Sequence, residues 1–451
     1  MHLSTLAEQL SGELSRHDVM FSILTTDTRE LLPGSVYLAL SGEHFDGNDF
    51  VAQAQEKGAS GAIVSRFTKC ELPQLRVADT HLALGRIAAE NRARSKAKVV
   101  ALTGSQGKTT VKEMIGSILN ARAPTLVTEA NLNNTIGVPL TLLKLTGEHK
   151  FAVIEMGANG HGEIAFSAKV AQPDVALITN ANAAHIEGFG SLDGIVKAKG
   201  EIIEALRDDG VMILNADDAN CAVWQRRAGN RKTVLFSQEN QRGNAQYFAR
   251  NILIDNNGKS EFLLETPQGA VSISMNLLGR HNVTNGIAAA AAAMEAGASL
   301  ENIAAGLRKV SAVKGRLYPL QGINGCRLID DSYNASPSSF IAAIDVLMCQ
   351  PGKKYLIAGD MRELGDEAVS AHQKVGAYAA SAGVDALFAL GELSQITAAA
   401  CGATARHFES EAALIAECKR SASPEAVFLI KGSRGARMDV VVSALLPSEE
   451  M

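Results

Sequence analysis

Two rhythms of apolar and polar positions alternate along this chain. Short apolar runs of about four residues are each followed by longer stretches whose apolar residues recur at helical spacing. The runs read as strands buried on both faces, and the stretches as helices packed by one face. Near the N-terminus the runs 36–40 and 61–64 flank a helical stretch, 49–57. A polar, arginine-bearing segment, 86–98, leads into the run 99–102. Beyond it, runs 151–154, 175–178 and 211–214 alternate with helix-length segments, which predicts parallel strands with helical crossovers. The rhythm then changes. Segments 251–255 and 261–265 flank Asn256-Asn257-Gly258, and 271–274 follows, so an antiparallel meander is predicted there. Residues 287–307 are nearly half alanine but include Glu295 and Glu301. Gly297-Ala298-Ser299 parts them into two helices, which argues against a membrane span. From residue 314 the alternation resumes, with runs at 327–329, 355–358, 386–390 and 427–430, a dinucleotide-fold-like pattern. No G-x-G-x-x-G opens that unit, so a second dinucleotide site is not expected.

The expected fold class is therefore α/β in three domains: a small N-terminal unit (1–81), a central parallel-sheet domain with an antiparallel extension (82–313), and a Rossmann-like C-terminal domain (314–451). A chain of 451 residues is also too long for one core. Apolar residues at 46% and charged residues at 20% describe a soluble globular protein. The net charge of −5, with no basic stretch interleaved with aromatics, argues against a nucleic-acid binder. The cysteines at 70, 221, 326, 349, 401 and 418 have no C-x-x-C spacing and read as thiols in a reducing compartment. No signal peptide is expected from the first residues, and the expected location is cytoplasmic.

Candidate chemistry centres on Thr103-Gly104-Ser105-Gln106-Gly107-Lys108-Thr109-Thr110, set between the run 99–102 and a helical stretch bearing Val111, Met114, Ile115, Ile118 and Leu119. Strand, glycine loop and helix form the context of a phosphate-binding loop. Backbone amides and the helix N-terminus converge on phosphate oxygens, Lys108 adds a point charge, and the Thr109 hydroxyl suits magnesium. Leu102 stands where the common G-x-x-x-x-G-K-[ST] motif has its first glycine.

Three residues lie on the same predicted sheet edge or near it. Glu155 ends a strand, so its carboxylate either meets the nucleotide's magnesium or is a solvated strand-end group. His185 follows the strand at 175–179, as a ligand or a hydrogen-bonded structural residue. Lys199 sits in Lys197-Ala198-Lys199-Gly200-Glu201, expected to begin a helix. Taken alone it reads as a solvated lysine, yet beside other cations its amine would be neutralised and reactive.

Together these features resemble the Mur ligase family, the ATP-dependent ligases of peptidoglycan stem-peptide synthesis. Besides residues 103–110, the resemblance is carried by Asn131-Leu132-Asn133-Asn134, Glu155-Met156-Gly157-Ala158-Asn159, His185-Ile186-Glu187-Gly188, Leu278-Gly279-Arg280-His281-Asn282, Gly315-Arg316, Asp330-Asp331-Ser332-Tyr333-Asn334-Ala335, Gly359-Asp360-Met361-Arg362 and Lys431-Gly432-Ser433-Arg434. It implies an ATP-dependent amide ligase that joins D-alanyl-D-alanine to UDP-N-acetylmuramoyl-tripeptide through an acyl phosphate. It also implies ATP and two magnesium ions as cofactors. Thr109 and Glu155 would hold one ion, and Glu155 and His185 the other. Lys199 would be carbamylated to N6-carboxylysine and support the metals, with Lys108, Glu155, His185 and Lys199 as the catalytic set. ATP would lie on Gly104, Ser105, Gln106, Gly107, Lys108, Thr109 and Thr110, with Asn282 and Asn285 near adenine, Arg316 on phosphate and Asp331 on ribose. The UDP-sugar and peptide substrates would meet Thr28, Arg29, Gly42, Asp46, Gly47, Asn134 and Asn334, and the enzyme would be a monomer.

Gln106, Ser336 and Asp439 depart from the familiar pattern. The rival readings are the ligase for the third stem residue, a folylpolyglutamate synthetase-like enzyme, and a nucleotide-gated regulatory module that forms no bond. The N-terminal UDP-type segments argue against the folate enzyme, and the segments from 330 and 359 against the third-residue ligase. Glu155, His185 and Lys199 separate a ligase from the regulatory module.

Overall fold

The computed structural model describes residues 1–42, 45–182 and 186–447. The N-terminal unit holds a five-stranded sheet in which Val36–Leu38 and Gly61–Val64 are interior strands. The arginine-bearing segment after it is mostly the helix Thr80–Arg94, started by the Asp79 carboxylate, which accepts from the His81 and Leu82 amides. Ala83, Leu84 and Ile87 of this helix pack into the N-terminal core with Leu3, Leu38 and Ile63, and Ile136, Leu140 and Leu143 close over the same cluster. The helix thus joins the first unit to the central one.

The central sheet is parallel throughout, in the order Lys232–Phe236, Val211–Asn215, Val175–Ile178, Lys98–Thr103, Phe151–Glu155, Thr125–Val127. Register pairs Leu102 with Glu155 and Thr103 with Ile178. The phosphate loop, Glu155 and the segment after Ile178 therefore leave the sheet at one edge, where open α/β sheets bind ligands. One face is covered by the helices Lys108–Asn120 and His281–Ala296. In the second, residues 288–293 are six buried alanines, whose small side chains let the helix lie close to the sheet. That helix ends at Gly297 (φ 112°), and a Ser299–Asn302 capping box starts Leu300–Lys309, so the alanine-rich region is two helices as expected. The meander Phe248–Ile254, Lys259–Thr266, Gly269–Leu278 forms its own antiparallel sheet, with Phe262, Leu264, Ile273 and Met275 in the same core.

The C-terminal sheet runs Tyr318–Gln321, Arg327–Asp331, Ala426–Lys431, Lys353–Gly359, Ala386–Leu390, Ala405–Phe408. Only the first pairing is antiparallel. The architecture is thus three-domain α/β. Among the described residues no helix is long and apolar enough to cross a membrane.

One local expectation is corrected. Lys199 does not begin a helix; it is the last residue of Leu192–Lys199. The Ser191 hydroxyl accepts from the Gly194 amide and starts the helix a turn and a half earlier, and a 3₁₀ turn, Gly200–Ile203, follows.

Candidate active site

A cleft of about 720 Å³ opens between the central and C-terminal domains. Its floor is the phosphate loop. Gly104 has φ 151°, and a Cβ there would lie 2.0 Å from Thr179 Oγ1; Gly107 has φ 77°, and a Cβ would lie 2.6 Å from Asn285 Oδ1. Neither position accepts a larger residue without displacing a neighbour. The loop is anchored to the next strand end. The Thr179 hydroxyl donates to Gln106 O at 2.7 Å, and Asn180 Oδ1 accepts from the Gln106 amide at 3.0 Å. Val111 is the first amide of the helix to find an acceptor within it, Gly107 O at 2.8 Å, so the amides before it face the cleft end. Lys108 Nζ lies back over the loop, donating to Gly104 O at 2.7 Å. Desolvation pulls its pKa below the ordinary lysine range, an effect that the Glu155 carboxylate opposes.

Glu155 is 1% exposed, at the end of its strand. Its Oε1 accepts from Thr109 Oγ1 at 3.2 Å and from Asn133 Nδ2 at 2.8 Å. Its Oε2 is buried with no partner among the described residues. A buried carboxylate oxygen left bare is costly unless something else meets it. A hard cation that takes oxygen ligands fits this pair of groups, the Thr109 hydroxyl and the free Glu155 oxygen. Among the described residues no cluster of three His, Cys, Asp or Glu surrounds them. Magnesium takes such oxygen ligands and keeps waters and phosphate oxygens beside them. His185 lies outside the described residues.

Lys199 faces the same cleft and is 3% exposed. Burial and then the nearby Lys108 charge lower its pKa to about 7, against the pull of Glu163 and Glu201. Its Nζ sits 5.2 Å from the centre of the Phe189 ring. This is a lysine whose amine is substantially neutral near physiological pH, not a solvated one.

The chain matches models of the Mur ligase family over three consecutive stretches: the family's catalytic domain (21–101), its middle domain (102–293) and its glutamate ligase domain (315–434). The chain belongs to the Mur ligase family. It is 47% identical over 445 residues to the UDP-N-acetylmuramoyl-tripeptide--D-alanyl-D-alanine ligase of Escherichia coli, covering 98% of each chain. A crystal structure of MurF from Acinetobacter baumannii superposes with a TM-score of 0.91 at 38% identity, covering 98% of this chain and 97% of that one. MurF from Thermotoga maritima, solved in complex with ADP, superposes with a TM-score of 0.83 at 25% identity, covering 94% and 96%.

In this Mur ligase the C-terminal domain supplies the cleft's other wall. Gly315 (φ 78°) follows the central domain, and its amide donates to Asp330 Oδ2 at 3.1 Å. The Arg316 guanidinium lies 4.4 Å from the centre of the Tyr333 ring. Asp331 accepts from Lys431 Nζ at 2.6 Å across two paired strands, and the same ammonium donates to Asn334 O at 2.9 Å. Burial pushes the Asp331 carboxyl upward, with the Lys431 ammonium opposing it. Gln106 Nε2 bridges the two walls, donating to Ser336 Oγ and Ser338 Oγ, each at 2.6 Å.

The cleft brings together Ser105, Gln106, Gly107, Lys108, Thr110, Glu155, Lys199, Asn282, Asn285, Arg316, Asp331, Asn134 and Asn334. It does not include the N-terminal set. Thr28 Oγ1 donates to Gln53 at 2.7 Å, the exposed Arg29 pairs with Asp27 at 2.6 Å, and Asp46 accepts from Ser41, Asn48 and Arg66. A Cβ on Gly47 would lie 2.3 Å from Leu40 O, and one on Gly42 2.8 Å from the Phe45 ring. Sequence reasoning assigned no role to Asn133, Asn180 or Lys431. Asn133 and Lys431 stand inside quoted motifs, but only the fold shows which partner each meets.

Proposed function

We propose that this Mur ligase joins D-alanyl-D-alanine to UDP-N-acetylmuramoyl-tripeptide, using ATP and releasing ADP and phosphate. The observation that carries the substrate assignment is the full-length likeness to ligases of that name. A carboxylate is a poor acyl donor, and transfer of the γ-phosphoryl group to one of its oxygens makes an acyl phosphate. The dipeptide amine then attacks the carbonyl carbon, and phosphate departs as the amide forms. Lys108 and the loop amides stabilise charge gathering on the transferring group. Arg316 reaches the phosphates from the other wall, Asp331 holds the ribose, and Asn282 and Asn285 border the adenine. Closure of the two walls, bridged by Gln106, keeps water from the acyl phosphate.

Two magnesium ions would complete the site, held by Thr109, Glu155, His185 and a carbamate on Lys199, and would neutralise phosphate charge. Its neutral amine and its place in the cleft support the role of Lys199. The domains are 1–81, which takes the UDP-sugar through Thr28, Arg29, Gly42, Asp46 and Gly47, then 82–313 for ATP and 314–451 for the dipeptide. Asn134 and Asn334 contact substrate from the two walls. The enzyme works as a cytoplasmic monomer.

The test is phosphate release from ATP across panels of nucleotide-peptides and dipeptides. Release that needs both UDP-N-acetylmuramoyl-tripeptide and D-alanyl-D-alanine supports the assignment. Equal release without either points to a regulatory ATPase.

A further inference from the structure

The helix Lys108–Asn120 carries a second lysine one turn past the first. Lys112 is 1% exposed, which is rare for a lysine unless its charge is matched. Its ammonium donates to Thr128 O at 2.8 Å and pairs with Glu113 Oε1 at 2.7 Å. Thr128 is also 1% exposed and follows the edge strand Thr125–Val127. Its amide donates to Val153 O at 3.0 Å, and its hydroxyl donates to the same oxygen at 3.3 Å. That hydroxyl then accepts from the Glu155 amide at 3.0 Å. The Glu155 carboxylate in turn meets Thr109, three residues before Lys112 and on the same side of the helix. A ring of contacts results, from the helix through Lys112 and Thr128 to the Glu155 backbone, and back through its carboxylate to Thr109.

A medium-sized apolar side chain would fill the place of Lys112 without the cost of burying an ammonium. What the lysine adds is a fixed bond to the segment that accepts the Glu155 amide. We propose that Lys112 and Thr128 are positioning residues that hold the end of the Glu155 strand in register with Thr109, and so set how tightly the cleft binds a divalent cation. The inference rests on Glu155 and Thr109 being cation ligands. Groups that orient a metal's ligands commonly change metal affinity by about 10–100-fold when removed.

The test uses the full chain with the imido analogue of ATP, and Mn²⁺ as a paramagnetic probe titrated by electron spin resonance. Thr128→Val keeps shape and removes the acceptor; Lys112→Met keeps length and removes the donor; Thr128→Ser restores the hydroxyl. Binding about tenfold weaker in Thr128→Val and in Lys112→Met is expected, with Thr128→Ser near the parent. The double variant is expected to be no weaker than either single one by more than about twofold, because both act through Glu155. If Lys112→Met fails to fold, Thr128→Val and Thr128→Ser decide alone. Unchanged Mn²⁺ affinity in Thr128→Val, beside weakened binding in Glu155→Gln, overturns the positioning role and leaves the ligand reading intact. Unchanged affinity in Glu155→Gln overturns both.

Discussion

Gly107→Ala is the substitution whose cost follows most directly from the loop's geometry. At φ 77° an L-residue sits in the left-handed region, at about 1–2 kcal/mol. The new Cβ would also lie 2.6 Å from Asn285 Oδ1, so Asn285 must swing away. That movement breaks its bond to Asn282 Oδ1, now 2.8 Å, for about 1 kcal/mol more. The total is about 2–3 kcal/mol. At roughly 2–4 °C per kcal/mol for a domain of this size, calorimetry of the free protein should show the central transition about 4–12 °C lower. ADP binding, read by titration calorimetry, should weaken by about fivefold, because the backbone strain is present with and without nucleotide and only the displaced Asn285, about 1 kcal/mol, is left to separate the two states. A paired variant separates the two parts. Adding Asn285→Ala removes the contact but not the backbone strain, so the thermal loss from Gly107→Ala should shrink by about a third to a half. If Gly107→Ala leaves transition and affinity unchanged, or the two losses simply add, the steric argument for this loop is wrong.

Other consequences are as direct. Lys199→Ala should nearly abolish turnover, and short carboxylates added to the assay should restore part of it; full activity without additive would rule out a carbamate role. Gln106→Ala removes two bonds between the walls of the cleft, worth about 1 kcal/mol after the side chain's ordering cost. Small-angle scattering of the free variant should give a larger radius of gyration, and an identical radius would mean that this bridge does not hold the domains together. His372 is 1% exposed; its Nε2 accepts from the Met361 amide at 3.1 Å, and Nδ1 lies 2.8 Å from Ala368 O. Burial lowers its pKa from 6.5, so the unfolded chain takes up the proton first as pH falls. Stability should therefore decline as pH drops below about 6.5, and go on declining until the folded imidazole protonates too. In His372→Asn that part of the acid-side slope should vanish, and an unchanged slope would exclude His372 as its source.

The interior of both large sheets was legible in the sequence because its strands are covered on two faces and read as unbroken apolar runs. The strands missed there are the four at the sheet edges: Thr125–Val127, Lys232–Phe236, Tyr318–Gln321 and Ala405–Phe408. Tyr318–Gln321 is only half-buried along its length, and Ala405–Phe408 is buried only at Phe408, so no run betrays them. The start of the Leu192–Lys199 helix was missed because its signal is one serine, Ser191, in a segment rich in small residues. At the site, the phosphate loop and the edge position of Glu155 follow from strand, loop and helix order alone, whereas the burial that sets Glu155 apart from a solvated strand-end group does not. Lys199 did not, because its lowered pKa comes from burial and from Lys108, a neighbour only in space. Asn133, Thr128 and Lys112 were hidden for the same reason: Asn133 meets the Glu155 carboxylate from a loop, Thr128 accepts its amide from beyond the neighbouring strand, and Lys112 reaches only Thr128 O from the helix.

The central claim is that a carboxyl oxygen of the tripeptide takes the terminal phosphoryl group of ATP. Supplying UDP-N-acetylmuramoyl-tripeptide with ¹⁸O in its terminal carboxylate, and weighing the phosphate released during ligation, tests it most directly. One carboxylate oxygen attacks phosphorus, stays bonded to it as the amine displaces the acyl group, and leaves with the phosphate. One ¹⁸O in each phosphate formed is the expected result. Amide product accompanied by phosphate free of ¹⁸O would contradict it.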